Sequence, residues 1–186
     1  MYGIVSLLPE PFYQTVEKIW RKLETKFGIS LKRKNETLYP HFSWQMADDY
    51  DIEKLKIILK NIAKKTEPFT ISTCGIGIFS VDRPIIYIPI VKTEELIDLH
   101  KSICKKTAKT AEGISDLYSP ENWMPHISIA FEGITKENIG EIVTELSNKN
   151  YIWNFDLNNI SFFSESEGKI GKLAFKIKLK KISKNR

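Results

Sequence analysis

A chain of 186 residues, 42% hydrophobic and 27% charged, is long enough to bury a core and falls within the size of one domain, which excludes disorder as the default. Two cysteines, Cys74 and Cys104, exclude a disulfide framework; the start MYGIVSLLPEPF lacks the basic and apolar regions of a secretory signal, and no apolar run approaches the roughly 20 residues that cross a bilayer. The formal charge of +5, partly in the tail KIKLKKISKNR (176–186), permits an anionic partner such as RNA and equally a lysine-rich solubilising surface.

The alternating, apolar YGIVSLL (2–8) predicts a strand. In PEPFYQTVEKIWRKLETKFGI, Phe12, Val16, Ile19, Leu23 and Phe27 recur at helical spacing; Pro9 and Pro11 suit the start of that helix and Gly28 its end. LYPHFSWQM (38–46) predicts a strand, and residues 51–65 a helix carrying Leu55, Ile58, Leu59 and Ile62. FTISTCGIGIFS (69–80) and PIIYIPIV (84–91) are two further strands, joined by a turn at Val81, Asp82 and Arg83. The order then recurs: a helix over 93–113, a strand PHISIAFE, a helix over 135–149, and strands YIWNFDLNNISFFS and KLAFKIKL.

The shift that carries His41 onto His126, 126 − 41 = 85 residues, brings each element close to a counterpart, although few residues are identical. The expected fold is therefore α+β. One domain, 1–186, holds two pseudo-symmetric lobes (repeats of roughly 2–91 and 87–180), each an antiparallel sheet with helices on its outer face, around a central cleft.

In a strand, residues i and i+2 point the same way, so His41, Ser43 and Gln45 share one face of LYPHFSWQM while Phe42, Trp44 and Met46 share the other. PHISIAFE has the same phase: His126 and Ser128 face together, opposite Ile127, Ile129 and Phe131. If the lobes meet along those faces, two imidazoles and two hydroxyls converge. Such a pair suits phosphodiester chemistry: a neutral imidazole accepts a proton from the attacking oxygen, a protonated one donates to the leaving oxygen, and an ordinary pKa of about 6.5 makes both forms accessible. The Ser43 and Ser128 hydroxyls would donate to the non-bridging phosphate oxygens. No compact cluster of His, Cys and carboxylates suggests a catalytic zinc, so no metal or cofactor is expected.

HFS (41–43) and HIS (126–128) resemble the paired H-x-S/T motifs of the 2H phosphoesterase superfamily, which includes 2′-5′ RNA ligase and cyclic phosphodiesterase proteins. The resemblance spans almost the whole chain. It implies antiparallel sheets facing across a V-shaped cleft with helices outside, and metal-independent chemistry on 2′,3′-cyclic phosphates or 2′-5′ linkages of RNA ends or nucleotides. It also implies His41 and His126 as acid and base, in an order left open, and Ser43 and Ser128 as phosphate binders. Thr is common at the hydroxyl positions of the family, and Ser rotates more freely there. The family's aromatic-basic-proline stretch is resembled by Phe79 and Arg83-Pro84 in FSVDRPII.

Other residues have two readings. Arg83 contacts phosphate or is a solvated turn residue; Phe79 is a base-stacking platform or core. Tyr118 and Trp123, in the loop before the second motif, wall the cleft and stack on a base, or simply pack. Tyr39 orients His41 or a phosphate, or does neither. His100, four residues before Cys104 on a helix, is read as structural, and Gly75 and Gly77 of GIG as strand glycines. The alternative to an enzyme is a non-catalytic RNA-binding module on the same scaffold. A cytoplasmic, monomeric protein that does not associate with membranes is expected.

Overall fold

The structure is a computed structural model and describes residues 2–29, 39–166 and 169–180. Leu38, which opens the expected second strand, and the tail 181–186 lie outside the described residues. The chain begins with β1 (Tyr2–Leu7), α1 (Phe12–Phe27), β2 (His41–Ala47), β3 (Asp49–Tyr50) and α2 (Ile52–Ala63), followed by β4 (Phe69–Ser72), β5 (Gly77–Phe79) and β6 (Ile85–Pro89). It continues through α3 (Glu94–Thr107), β7 (Ala111–Glu112), β8 (His126–Ala130), α4 (Ile139–Ser147), β9 (Asn154–Leu157), β10 (Asn159–Ser166) and β11 (Lys169–Lys178).

Local chemistry explains most boundaries. Helix α1 buries Val16, Ile19 and Leu23 on one stripe and ends at Gly28, whose φ of 67° is the left-handed conformation a glycine adopts without a Cβ clash. The Asp51 carboxylate accepts from Lys54 N at the start of α2, and the Thr93 hydroxyl from Leu96 N at the start of α3. Helix α4 starts at Ile139 rather than near 135 because Thr135 and Asn138 bond each other's backbone and close a turn first.

The fold is α+β, with four helices and antiparallel sheets. A four-stranded sheet runs β11-β10-β1-β2, a three-stranded sheet β5-β6-β8, and β3-β7 and β4-β9 form separate pairs. The four-stranded sheet thus joins the first two long strands to the last two. Helix packing is equally interleaved: α1 lies against β8, and its Lys22 and Lys26 bond Glu145 of α4, while α3 lies against α2 and β2. One large core, including Phe42, Trp44, Leu55, Ile127 and Phe162, runs under both sheets, and burying each such side chain contributes roughly 1.5–3 kcal/mol.

Three expected elements are cut short by pairing that is not local. The strand expected over 69–80 breaks at Gly75, φ 73°, so β4 pairs with β9 and β5 with β6; Gly75 is a turn glycine, not a strand one. The strand expected over 151–164 divides at Asn158 for the same reason, β9 pairing with β4 and β10 with β1 and β11. The helix expected to reach 113 stops at Thr107. A 3-10 turn follows over Ala108–Thr110, after which Ala111 and Glu112 pair with Tyr50 and Asp49. Among the described residues no helix is long and apolar enough to cross a membrane.

Candidate functional site

His41 opens β2 and His126 opens β8, and both are half-buried. His41 Nδ1 lies 2.6 Å from the carbonyl oxygen of Tyr39, and His126 Nδ1 lies 2.6 Å from that of Met124. A carbonyl only accepts, so each Nδ1 donates and each neutral ring keeps its lone pair on Nε2. Each imidazole also meets a phenylalanine nearly at right angles with centroids 4.9 Å apart, Phe163 for His41 and Phe79 for His126. Tyr87 adds a second ring 5.2 Å from His126.

The strand register matches as well. His41 pairs with Leu7 and Ser43 with Val5; His126 pairs with Pro89 and Ser128 with Tyr87. In each motif strand one extra residue follows the serine, Trp44 between the partners of Val5 and Ile4, and Ile129 between those of Tyr87 and Ile86. These bulges shift the alternation by one residue. Gln45, expected beside His41 and Ser43, therefore turns into the core, 1% exposed, where its Oε1 accepts from the Tyr50 and Thr107 hydroxyls at 3.0 and 2.9 Å. Met46 turns the other way and is half-buried.

Burial pushes the His41 pKa down to about 4, its backbone bond to Tyr39 partly offsets this, and the charge of His126 lowers it further. Burial also lowers His126, opposed by its bond to Met124. Without an anion between them both rings are neutral at pH 7.

The other expected residues are placed variously. Phe79, Tyr118 and His126 bound an apolar pocket of about 300 Å³ together with the exposed Val81, Leu117 and Met124. Phe79 also stacks on Tyr87 at 4.1 Å, so it is both wall and packing. The Tyr118 hydroxyl meets that of Ser43, and burial holds its phenol above the ordinary value. Tyr39 acts on His41 through its carbonyl, while its ring stacks on Phe163 at 5.6 Å. Arg83 is exposed in the turn between β5 and β6 and does not bound the pocket.

Trp123 is 1% exposed and lies flat on His100, centroids 3.8 Å apart, so its ring has no free face for a base; of the two expected readings, packing is the one realised. His100 is itself buried, its Nε2 donating to the Trp44 carbonyl at 3.0 Å. Phe163, Tyr87 and the Met124 carbonyl were not singled out from sequence. Phe163 was within reach: 163 − 79 = 84, one residue from the shift relating the histidines. Among the described residues no group of three or more His, Cys, Asp or Glu could hold a metal ion.

Residues 9–169 match the sequence profile of the 2′-5′ RNA ligase superfamily. The chain belongs to the 2′-5′ RNA ligase superfamily, the 2H phosphoesterases. No curated protein sequence matches it. Its fold is similar to that of TT0787 of Thermus thermophilus, with a TM-score of 0.64 at 12% identity over 96% of this chain and 97% of that one. It is also similar to E. coli LigT crystallised with 3′-AMP (0.58, 15% identity, 96% and 97%) and with ATP (0.57, 13%, 96% and 96%). For this 2H phosphoesterase, likeness at such identities speaks to the fold alone.

Proposed function

We propose that the chain is a metal-independent 2H phosphoesterase acting on 2′,3′-cyclic phosphates or 2′-5′ phosphodiesters of RNA ends or nucleotides. His41 and His126 are its acid–base pair, Ser43 and Ser128 hold the phosphate, and the four- and three-stranded sheets are two lobes whose cleft runs along β2 and β8. The observation that carries this reading is the matched setting of the imidazoles. On neighbouring strands, each Nδ1 is tied at 2.6 Å to the carbonyl two residues earlier, which leaves two Nε2 atoms for chemistry.

In hydrolysis of a cyclic phosphate, a water oxygen bonds to phosphorus while one neutral Nε2 accepts the water proton. The bond from phosphorus to one ribose oxygen breaks, and the proton on the other Nε2 moves to that oxygen. Each transfer contributes roughly 10² to 10⁴ in rate. The serine hydroxyls donate to the non-bridging oxygens, where negative charge gathers in the transition state. Burial lowers both imidazoles, and the orientation of the bound phosphate sets which ring carries the proton, so one histidine serves as base and the other as acid, with the roles exchanged in the reverse direction.

Two further observations support a nucleotide as substrate. The apolar pocket beside His126 suits the face of a base. The similar E. coli LigT was crystallised with 3′-AMP and with ATP. The deciding experiment assays 2′,3′-cyclic mononucleotides, 2′-5′ dinucleotides and cyclic-phosphate-ended RNA with EDTA present. Turnover that vanishes in His41→Ala and His126→Ala is the expected result. No turnover by the parent, with RNA bound equally well by the double variant, would replace the enzyme with a binding module.

A further inference from the structure

Both motif strands are sheet edges, β2 of the four-stranded sheet and β8 of the three-stranded one, and they approach each other without forming a ladder. An edge strand leaves backbone carbonyls that need donors from elsewhere. At the two serines those donors are indoles. Trp123 Nε1 donates to the Ser43 carbonyl at 2.9 Å, and Trp20 Nε1 donates to the Ser128 carbonyl at 3.2 Å.

The donors are crossed. Trp20 sits on α1, in the first half of the chain, and holds the second motif; Trp123, in the loop before β8, holds the first. Trp123 is itself immobilised, lying flat on His100 and 5.4 Å from Trp44, the bulged residue of β2 whose carbonyl His100 holds. Each serine carbonyl is thus tied to an element from the other half of the chain, Ser43 to the loop that leads into β8 and Ser128 to α1.

We propose that Trp20 and Trp123 are positioning residues, a crossed clasp that sets the separation and aim of His41 and His126 before substrate binds. The inference rests on the reading of those histidines as the acid–base pair. A misplacement of about 1 Å between reacting groups costs on the order of 10² in rate, so a fixed spacing between the strands bears directly on turnover.

Trp20 is only half-buried, so Trp20→Phe keeps most of the packing and deletes the N–H. Replacing Trp20 by benzothienylalanine, which has the same shape without the N–H, separates the hydrogen bond from the volume of the ring. The first readout needs no substrate: NMR titration of the His41 and His126 ring protons. Burial is the larger cause of the low His41 pKa and the His126 charge a smaller one, so parting the strands, which both wets His41 and moves His126 away, raises the His41 pKa toward 6.5 in both variants. The second is kcat on a 2′,3′-cyclic mononucleotide, expected to fall about tenfold with KM changed less than about threefold. An unchanged histidine titration in a cooperatively folded variant overturns the clasp, whatever kcat does. If the parent turns over none of the phosphoesters, the reaction assigned above fails, and the titration still decides whether the indoles set the spacing.

Discussion

An imidazole whose Nδ1–H is committed to a carbonyl acts only through Nε2, and both His41 and His126 are committed in this way. Removing either ring should lower kcat on a cyclic mononucleotide by about 10² to 10⁴, with circular dichroism and the unfolding midpoint little changed. The pH dependence follows from the depressed pKa of His41. The unfolded chain binds its proton near 6.5 and the folded one near about 4, so His41 contributes stability that is complete above 6.5 and lost as pH falls toward 4. Urea denaturation at pH 7 and pH 4.5 should show this loss, and His41→Gln should reduce it. These residues were legible in the sequence because a period of two places His and Ser on one strand face. Phe163 was legible only as the counterpart of Phe79 under the shift relating the histidines, and Tyr87 was not, because its contact to His126 crosses from another strand.

At the scale of elements, the bulges at Trp44 and Ile129 decide what each motif strand presents. Gln45 is a buried hub for two hydroxyls; Gln45→Leu should orphan that of Tyr50, while Thr107 keeps the Ile103 carbonyl, and destabilise the protein by about 1–3 kcal/mol in chemical denaturation. Gly77 on β5 lies under the Tyr87 ring, and a Cβ there would sit 2.6 Å from Tyr87 Cζ. Gly77→Ala should displace Tyr87 from His126, lowering kcat about tenfold and stability by about 1–3 kcal/mol. Helix α1 and the motif strands could be located from apolar spacing. The divisions at Gly75 and Asn158 could not, because they mark places where the chain leaves one sheet for another.

Over the whole molecule, the two ends of the chain complete one sheet. Strands β10 and β11 supply half of the sheet that carries His41, and α3 covers β2 from the other half of the sequence. A fragment of residues 1–91 lacks those partners and leaves β1 with an unpaired edge. It should give the narrow amide dispersion of an unfolded chain in a ¹H–¹⁵N NMR spectrum, whereas the full chain should unfold as one cooperative unit. Two strand-and-helix patterns in series had suggested lobes built from consecutive halves; the interleaving depends on which strands meet, which no local pattern encodes.

From the sequence alone came the α+β class, the paired H-x-S motifs and the superfamily they resemble, because side-chain alternation and helical spacing are properties of a few adjacent residues. Tertiary structure decided the register, the bulges that turn Gln45 inward, the carbonyls that hold each Nδ1 and the burial of Trp123. Each of these depends on atoms brought together from distant parts of the chain, where hydrogen bonding and close packing must be satisfied by whatever partner the fold supplies.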